Sequence, residues 1–189
     1  MKIENVKKIT DLKFINLFSV NYKDRKNCYK EWVFASRSTR ANPIEEEHLL
    51  PDAVVIVPYH KDKLVLIKEF RVALGGYQYG FPAGLLDKGE SVEKAGRREL
   101  FEETGLTVTR VIKKSPVIFS SSGLTDESIC LLYVECDGVS SNLFNEASED
   151  IEVVMVSRKQ ALELINDGKI KFDVKTWIIL NSFAVGGII

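Results

Sequence analysis

Gly84-Leu-Leu-Asp-Lys-Gly-Glu90-Ser-Val-Glu-Lys-Ala-Gly-Arg-Arg98-Glu99-Leu-Phe-Glu102-Glu103-Thr-Gly105-Leu106 is the stretch on which the fold of this chain turns. Ser91 can cap a helix, Lys94 to Glu103 are strong helix formers with few β-branched residues, and Gly105 stops it. On such a helix Glu99, Glu102 and Glu103 stand at i, i+3 and i+4 and share one face, while Leu100 and Leu106 mark the buried side. Carboxylates so placed repel each other by about 0.2–0.5 kcal/mol per pair on an exposed helix. Arg98, at i−4 from Glu102, offsets only part of that, so a further cation is expected. Oxygen-only ligands favour a hard ion, Mg²⁺ or Mn²⁺. The glycine-broken loop from Ala83 to Gly89 lets backbone groups approach the cluster closely. Taken alone, three glutamates on one helix more often mark a solvated acidic face.

Working outward, Leu12–Tyr22 and Tyr29–Arg37 read as strands about a polar turn, Lys23–Asn27. A polar stretch, Ser38–His48, leads to a second hairpin formed by Ala53–Tyr59 and Leu64–Phe70. Gly75, Gly76 and Gly80 break the segment that follows. Leu106–Phe119, Ser128–Glu135 and Ile151–Val156 are expected strands, and Gln160–Asn166 and Val174–Ala184 expected helices. This order predicts an α/β fold, a sandwich on a mixed sheet rather than a run of βαβ units.

The spacing of the central stretch outweighs the solvated-face reading. Glycine, five residues, Glu, seven residues, Arg-Glu, an apolar residue, any residue, Glu-Glu, any residue, Gly and an apolar residue is the signature of the Nudix family. Gly84 to Leu106 meets it throughout, and the chain resembles that family. The resemblance implies an α/β/α sandwich preceded here by a small N-terminal antiparallel β element, with residues 1–48 as that element and 49–189 as the Nudix domain. It assigns Glu99 and Glu103 as main metal ligands, with Glu102 and the carbonyl of Ala83 in support. Arg98 orients the carboxylates, Glu90 braces the loop, and Gly84 lies against substrate. The chemistry implied is attack of water on one phosphorus of a P–O–P linkage, assisted by Mg²⁺ or Mn²⁺.

Lys68-Glu-Phe-Arg71, Gly75-Gly-Tyr77, Phe81-Pro-Ala-Gly84-Leu-Leu-Asp87 and Ser148-Glu-Asp-Ile151 resemble the ADP-ribose (ADP-sugar) pyrophosphatase branch. That branch implies cleavage of ADP-ribose to AMP and ribose 5-phosphate by a homodimer whose N-terminal strands help build the partner's adenine site. Glu149 matches its further glutamate, a metal ligand or general base, with Glu146 beside it and Glu127 as another base or a ribose contact. Glu127 is equally well read as a solvated loop carboxylate. Trp32 and Phe14 resemble the stacking residues, and Arg37 and Arg71 the polar and phosphate contacts. For Phe14 by itself, a buried strand residue is the better expectation. Two positions depart from the branch: Gly80 replaces a Glu and Ser122 a Pro. Hydrolysis of a UDP- or GDP-sugar, or a non-catalytic nucleotide-sensing module, are the alternatives. The second would ordinarily have lost a glutamate that this chain keeps.

Composition agrees with one globular core. The 189 residues are 45% hydrophobic and 28% charged with a net charge of −1, which supplies no general attraction to nucleic acid or an anionic membrane. Cys28, Cys130 and Cys136 lack metal-ligand spacing and read as reduced thiols of a cytoplasmic protein. Met1–Thr10 has no apolar signal core. The apolar tail from Trp177 is too short to span a bilayer and is expected to dock on the core. His48 and His60 read as isolated surface residues, and no Ser or Cys has a nucleophile's context.

Overall fold

The computed structural model describes residues 1–45 and 50–187. His48 and the expected domain boundary at 48/49 lie outside the described residues. The chain divides into two compact units, Met1–Asp52 with Val117–Ile129, and Ala53–Pro116 with Cys130–Ile189.

The first unit is built on three antiparallel strands in the order β1 (Lys2–Lys8), β2 (Asn16–Lys23) and β3 (Tyr29–Ser36). β2 and β3 form the expected hairpin, with Val20 opposite Trp32 and Phe18 opposite Phe34. Two corrections apply. Met1–Thr10, read only as lacking an apolar core, contributes β1, a strand whose mostly charged residues hide any alternation. Leu12–Ile15 is not strand, because the Asn16 side chain accepts from Leu12 N–H at 2.7 Å and donates to its carbonyl at 2.9 Å, closing a local loop. Phe14 on that loop is exposed, with Lys13 over its ring, and so is not a buried strand residue. The 117–129 segment, whose short β9 (Ile118–Phe119) pairs with its own Ser128 and Ile129, joins this unit through Ala35, which donates to Leu124 O and accepts from Asp126 N–H.

In the second unit the sheet runs β11 (Ile151–Val156), β5 (Lys63–Arg71), β4 (Ala53–His60), β10 (Ser128–Asp137), β8 (Thr107–Lys114), with β6 (Gly76–Gly80) on β5 and β7 (Ala83–Leu85) on β4. The expected strand Leu106–Phe119 is broken between β8 and β9, where Pro116 has no N–H to offer a ladder. The glycine-rich segment expected to be irregular instead pairs as β6, with Gly80 opposite Ile67.

Side-chain alternation sorts the sheet into two faces. Val54, Ile56 and Val65 pack with Val92, Ala95 and Leu100 of α1 (Val92–Thr104) in one buried cluster. On the other face Tyr59 meets Phe183 of α3 (Val174–Ala184), which lies against α2 (Arg158–Asn166). Three layers result, a helix, a mixed sheet and a helix pair. Ser91 caps α1 by accepting from Lys94 N–H, and Gly105 ends it at φ 72°. A Cβ on Gly96 would lie 2.4 Å from Leu132 Cδ2, so α1 rests on the sheet closely enough to need glycine there. The tail docks as expected, with Thr176, Ile179, Leu180 and Phe183 buried, and no helix of the described residues is long and apolar enough to cross a membrane. All three cysteines are free thiols, and burial pushes that of Cys136 up to about 12. His60 is not an isolated surface residue; it is largely covered and meets Asp137 at 3.3 Å.

Candidate active site

The C-terminal half of α1 and the loop before it carry the acidic residues. Arg98 is the hub of the group. Its guanidinium donates to both Glu90 oxygens (3.3 and 2.9 Å), to Glu99 (2.6 Å), to Glu102 (3.2 Å) and to the carbonyl of Leu85 (3.1 Å). Glu90, 5% exposed, also accepts from Asp87 N–H, which ties the 84–90 loop to the helix. Its pKa lies below the usual carboxylate range because of the Arg98 contact. Those same bonds hold Arg98 above its ordinary value.

Gly84 leaves room that the Glu99 carboxylate fills. A Cβ there would stand 1.9 Å from Glu99 Oε1. Its side-chain space is therefore occupied by a carboxylate, and the loop backbone lies directly against Glu99.

Glu103 is the most perturbed group of the site. It is 5% exposed and its Oε2 accepts from Ala83 N–H at 3.1 Å. Burial, added to the charges of Glu99, Glu69 and Glu149, pushes its carboxyl up to about 9, against which the Ala83 N–H acts only in part. Burial also raises Glu99, over the opposition of Arg98, with Glu102 and Glu149 adding to the rise. Glu149 is half-buried, and one of its oxygens accepts from Glu146 N–H at 2.8 Å. Glu146 itself is exposed.

Glu69 belongs to this cluster and was not singled out from the sequence. Burial and the charge of Glu149 raise it, while Arg71, 2.9 Å away, opposes the rise. The signal was present: Val65, Ile67 and Glu69 alternate along β5, so a carboxylate continues the face that packs on α1. Arg71, expected to contact phosphate, is paired with Glu69 and half-exposed.

As the side chains stand, no three His, Cys, Asp or Glu among the described residues converge on one point. Arg98 holds Glu99 and Glu102, while Glu103 turns to the Ala83 amide. The residues nonetheless suit a hard divalent cation. Their donors are all oxygen, and a carboxyl kept from ionising by burial and, secondarily, by like charges is what a cation would relieve. Glu99 and Glu103, with Glu102 and the Ala83 carbonyl, are the groups that could hold it.

The remaining expected residues lie in the first unit. Arg37 and Glu127 are paired with each other at 2.9 Å, and Ser120 Oγ also donates to Glu127, so Glu127 is not a free loop carboxylate. Trp32, half-exposed, lines a cavity of about 610 Å³ with Tyr22, Phe34, Phe119, Ser122 and Asp126. Phe14 is not in that lining. Tyr22, Phe34, Phe119 and Asp126 were not predicted, being scattered over more than a hundred residues with no spacing to link them.

A glycine loop and a glutamate helix laid on a mixed sheet mark an α/β protein with an acidic, oxygen-rich site. The NUDIX domain family matches residues 49–178, and the chain belongs to that family. It is 35% identical to an ADP-ribose pyrophosphatase of Saccharomyces cerevisiae over 137 residues, which cover 72% of this chain and 59% of that relative. An ADP-ribose pyrophosphatase of Escherichia coli is 33% identical over 147 residues, covering 71% of this chain and 67% of that one. A crystal structure of an ADP compounds hydrolase superposes with a TM-score of 0.71 at 22% identity, over 98% of this chain and 94% of that one, a likeness of fold.

Proposed function

We propose that this protein hydrolyses the pyrophosphate bond of an ADP-linked sugar, ADP-ribose to AMP and ribose 5-phosphate, with Mg²⁺ or Mn²⁺. The observation that carries the proposal is the buried Glu103 carboxyl, raised by burial and by the neighbouring charges of Glu99, Glu69 and Glu149, beside Glu99 and Glu102 held by Arg98. The names of the relatives and the aromatic cavity lined by Trp32 favour an adenine compound.

A bound divalent ion would neutralise charge on the diphosphate oxygens and acidify the attacking water. Glu99 and Glu103 would hold that charge in place, and Arg98 fixes Glu99 and Glu102 beside it. Glu149 accepts a proton as the water oxygen bonds to one phosphorus; the bridging P–O bond breaks, and the proton passes to the departing phosphate. Glu149 is preferred to Glu127 as base because Glu127 is committed to Arg37 and Ser120. The exposed apolar residues of the N-terminal unit, Leu12, Phe14, Tyr29 and Val33, favour pairing of two copies through it.

The test is a turnover screen with Mg²⁺ and Mn²⁺ across ADP-ribose, UDP-glucose, GDP-mannose and nucleoside triphosphates, with products separated by chromatography. ADP-ribose is expected to lead, releasing AMP and ribose 5-phosphate. A lead for a UDP- or GDP-sugar would remove the adenine assignment, and no turnover of any compound would remove the catalytic one.

A further inference from the structure

We infer that Tyr77 and Asp150 are positioning residues, whose hydrogen bond on one face of the sheet fixes the loop that presents Glu149 on the other; this rests on the reading of Glu149 as base given above. β11 pairs with β5 from Ile151, opposite Glu69, and Phe70 N–H donates to Asp150 O at 3.1 Å to add one rung ahead of it. Glu149 is therefore the residue just outside the ladder. Alternation sends its side chain to the face of Ile151 and Glu69, and that of Asp150 to the opposite face. The charge of Glu149 is felt by Glu69, Glu99 and Glu103, as that placement requires.

Tyr77 grips Asp150 from across β5. It stands opposite Phe70 in the pairing of β6 with β5, and its hydroxyl donates to Asp150 Oδ2 at 2.5 Å. The ring is braced on two sides. Phe70 meets it edge-on with centroids 5.4 Å apart, and Lys68, bonded to Glu152 at 3.0 Å, lies 5.1 Å from its centroid. One side chain thus bridges β6 to β11 over the strand between them. The bond to Asp150 holds the Tyr77 hydroxyl above its ordinary pKa, so it stays a donor at neutral pH. Two further bonds, Glu149 N–H to Glu146 O at 3.0 Å and Glu146 N–H to the Glu149 carboxylate at 2.8 Å, are internal to the loop. They move with it and cannot set its place against the cluster. A base must stay within hydrogen-bond reach of its water, so a loop that drifts loses rate rather than affinity.

Tyr77→Phe removes the hydroxyl alone. With ADP-ribose and Mg²⁺, kcat should fall about tenfold while KM stays within about twofold. Asp150→Ala should do the same, and the double variant should be no slower than either. Asp150→Asn keeps an acceptor oxygen and should restore most of the rate. In a Glu149→Gln background, Tyr77→Phe should change kcat by less than about twofold, because the group it positions is gone. Hydrogen exchange on the protein without substrate should be at least about tenfold faster in Tyr77→Phe at the amides of Phe70 and residues 146–150, with those of α1 unchanged. A full rate in Tyr77→Phe, a tenfold loss that persists in Glu149→Gln, or unchanged exchange over 146–150 overturns the inference and leaves hydrolysis standing. Full activity of Glu149→Gln removes the base and this role with it. If the unaltered protein hydrolyses none of the compounds screened, the proposed function itself falls.

Discussion

The loop and helix over residues 83–105 and the aromatic cavity of the first unit prepare for a ligand by opposite physics. Around α1, burial and the charges of neighbouring carboxylates hold Glu103 from ionising up to about 9. The cavity is apolar by comparison, its described lining made mostly of aromatic and aliphatic side chains. The first region carries an electrostatic cost that a cation removes, so changes in it should strike chemistry and pH response. The second offers contact area, so changes in it should strike affinity and leave the chemical step alone.

The sharpest way to break that contrast is Glu103→Gln. Glutamine keeps the size and can still accept from Ala83 N–H, so the fold should hold. It removes a charge where the cation is needed, and kcat for the preferred substrate should fall about a thousandfold or more. Steady-state kinetics beside a thermal melt decides it: retained turnover in a folded variant would end the assignment of Glu103 as a ligand. Gly84→Ala comes next. The added methyl claims the space of the Glu99 carboxylate, whose flexible end can swing aside at little cost to the fold. Displacing a catalytic group by about 1 Å costs on the order of a hundredfold in rate. Loss of kcat with a nearly unchanged melt is expected, and an unchanged kcat would show that Glu99 is not held where it acts.

These two positions also show why one region was readable and the other was not. Helix, cap, stop and shared glutamate face are all set by neighbours within a turn or two, so Ser91, Gly105 and the Glu99–Glu103 spacing suffice to place them. Glu69 escaped notice because its partners come from α1 and the 146–149 loop, and only its place on the alternating face of β5 hints at them. The cavity is harder again. Tyr22 and Phe119 meet only after β3 has bonded to the 120–127 loop. β1 was illegible for a different reason: its seven residues are mostly exposed, so nothing in their polarity records a buried face. Phe14 misled because its identity suggests burial, whereas the bonds of Asn16 turn its loop outward.

Trp32→Ala tests the cavity side of the contrast. Removing a ring that stacks on a base should raise KM about tenfold to a hundredfold while kcat stays within about threefold. A fall in kcat with unchanged KM would move Trp32 out of ground-state binding.

The smallest expected effect is thermal, and it isolates the crowding itself. A glutamate in the unfolded chain ionises near pH ~4.3, whereas Glu103 in the fold does so at about 9. Between those values the folded state holds the proton that the unfolded state has lost, so stability falls as pH rises through the window. Glu99 and Glu69, also raised, add to the same slope. Glu90, depressed by Arg98, acts the other way, but its contribution is lost only as pH falls through its folded value, below the window. The protein stripped of divalent ions should therefore melt lower at pH 8.5 than at pH 6, by on the order of 5 °C. Glu103→Gln should flatten that slope, because the group that sheds the proton is gone. Saturating Mg²⁺ should flatten it in the unaltered protein, because the cation takes the proton's place among the carboxylates. A slope unchanged in Glu103→Gln would mean that the cost attributed to this cluster lies elsewhere, and with it the physical distinction between the two regions would go.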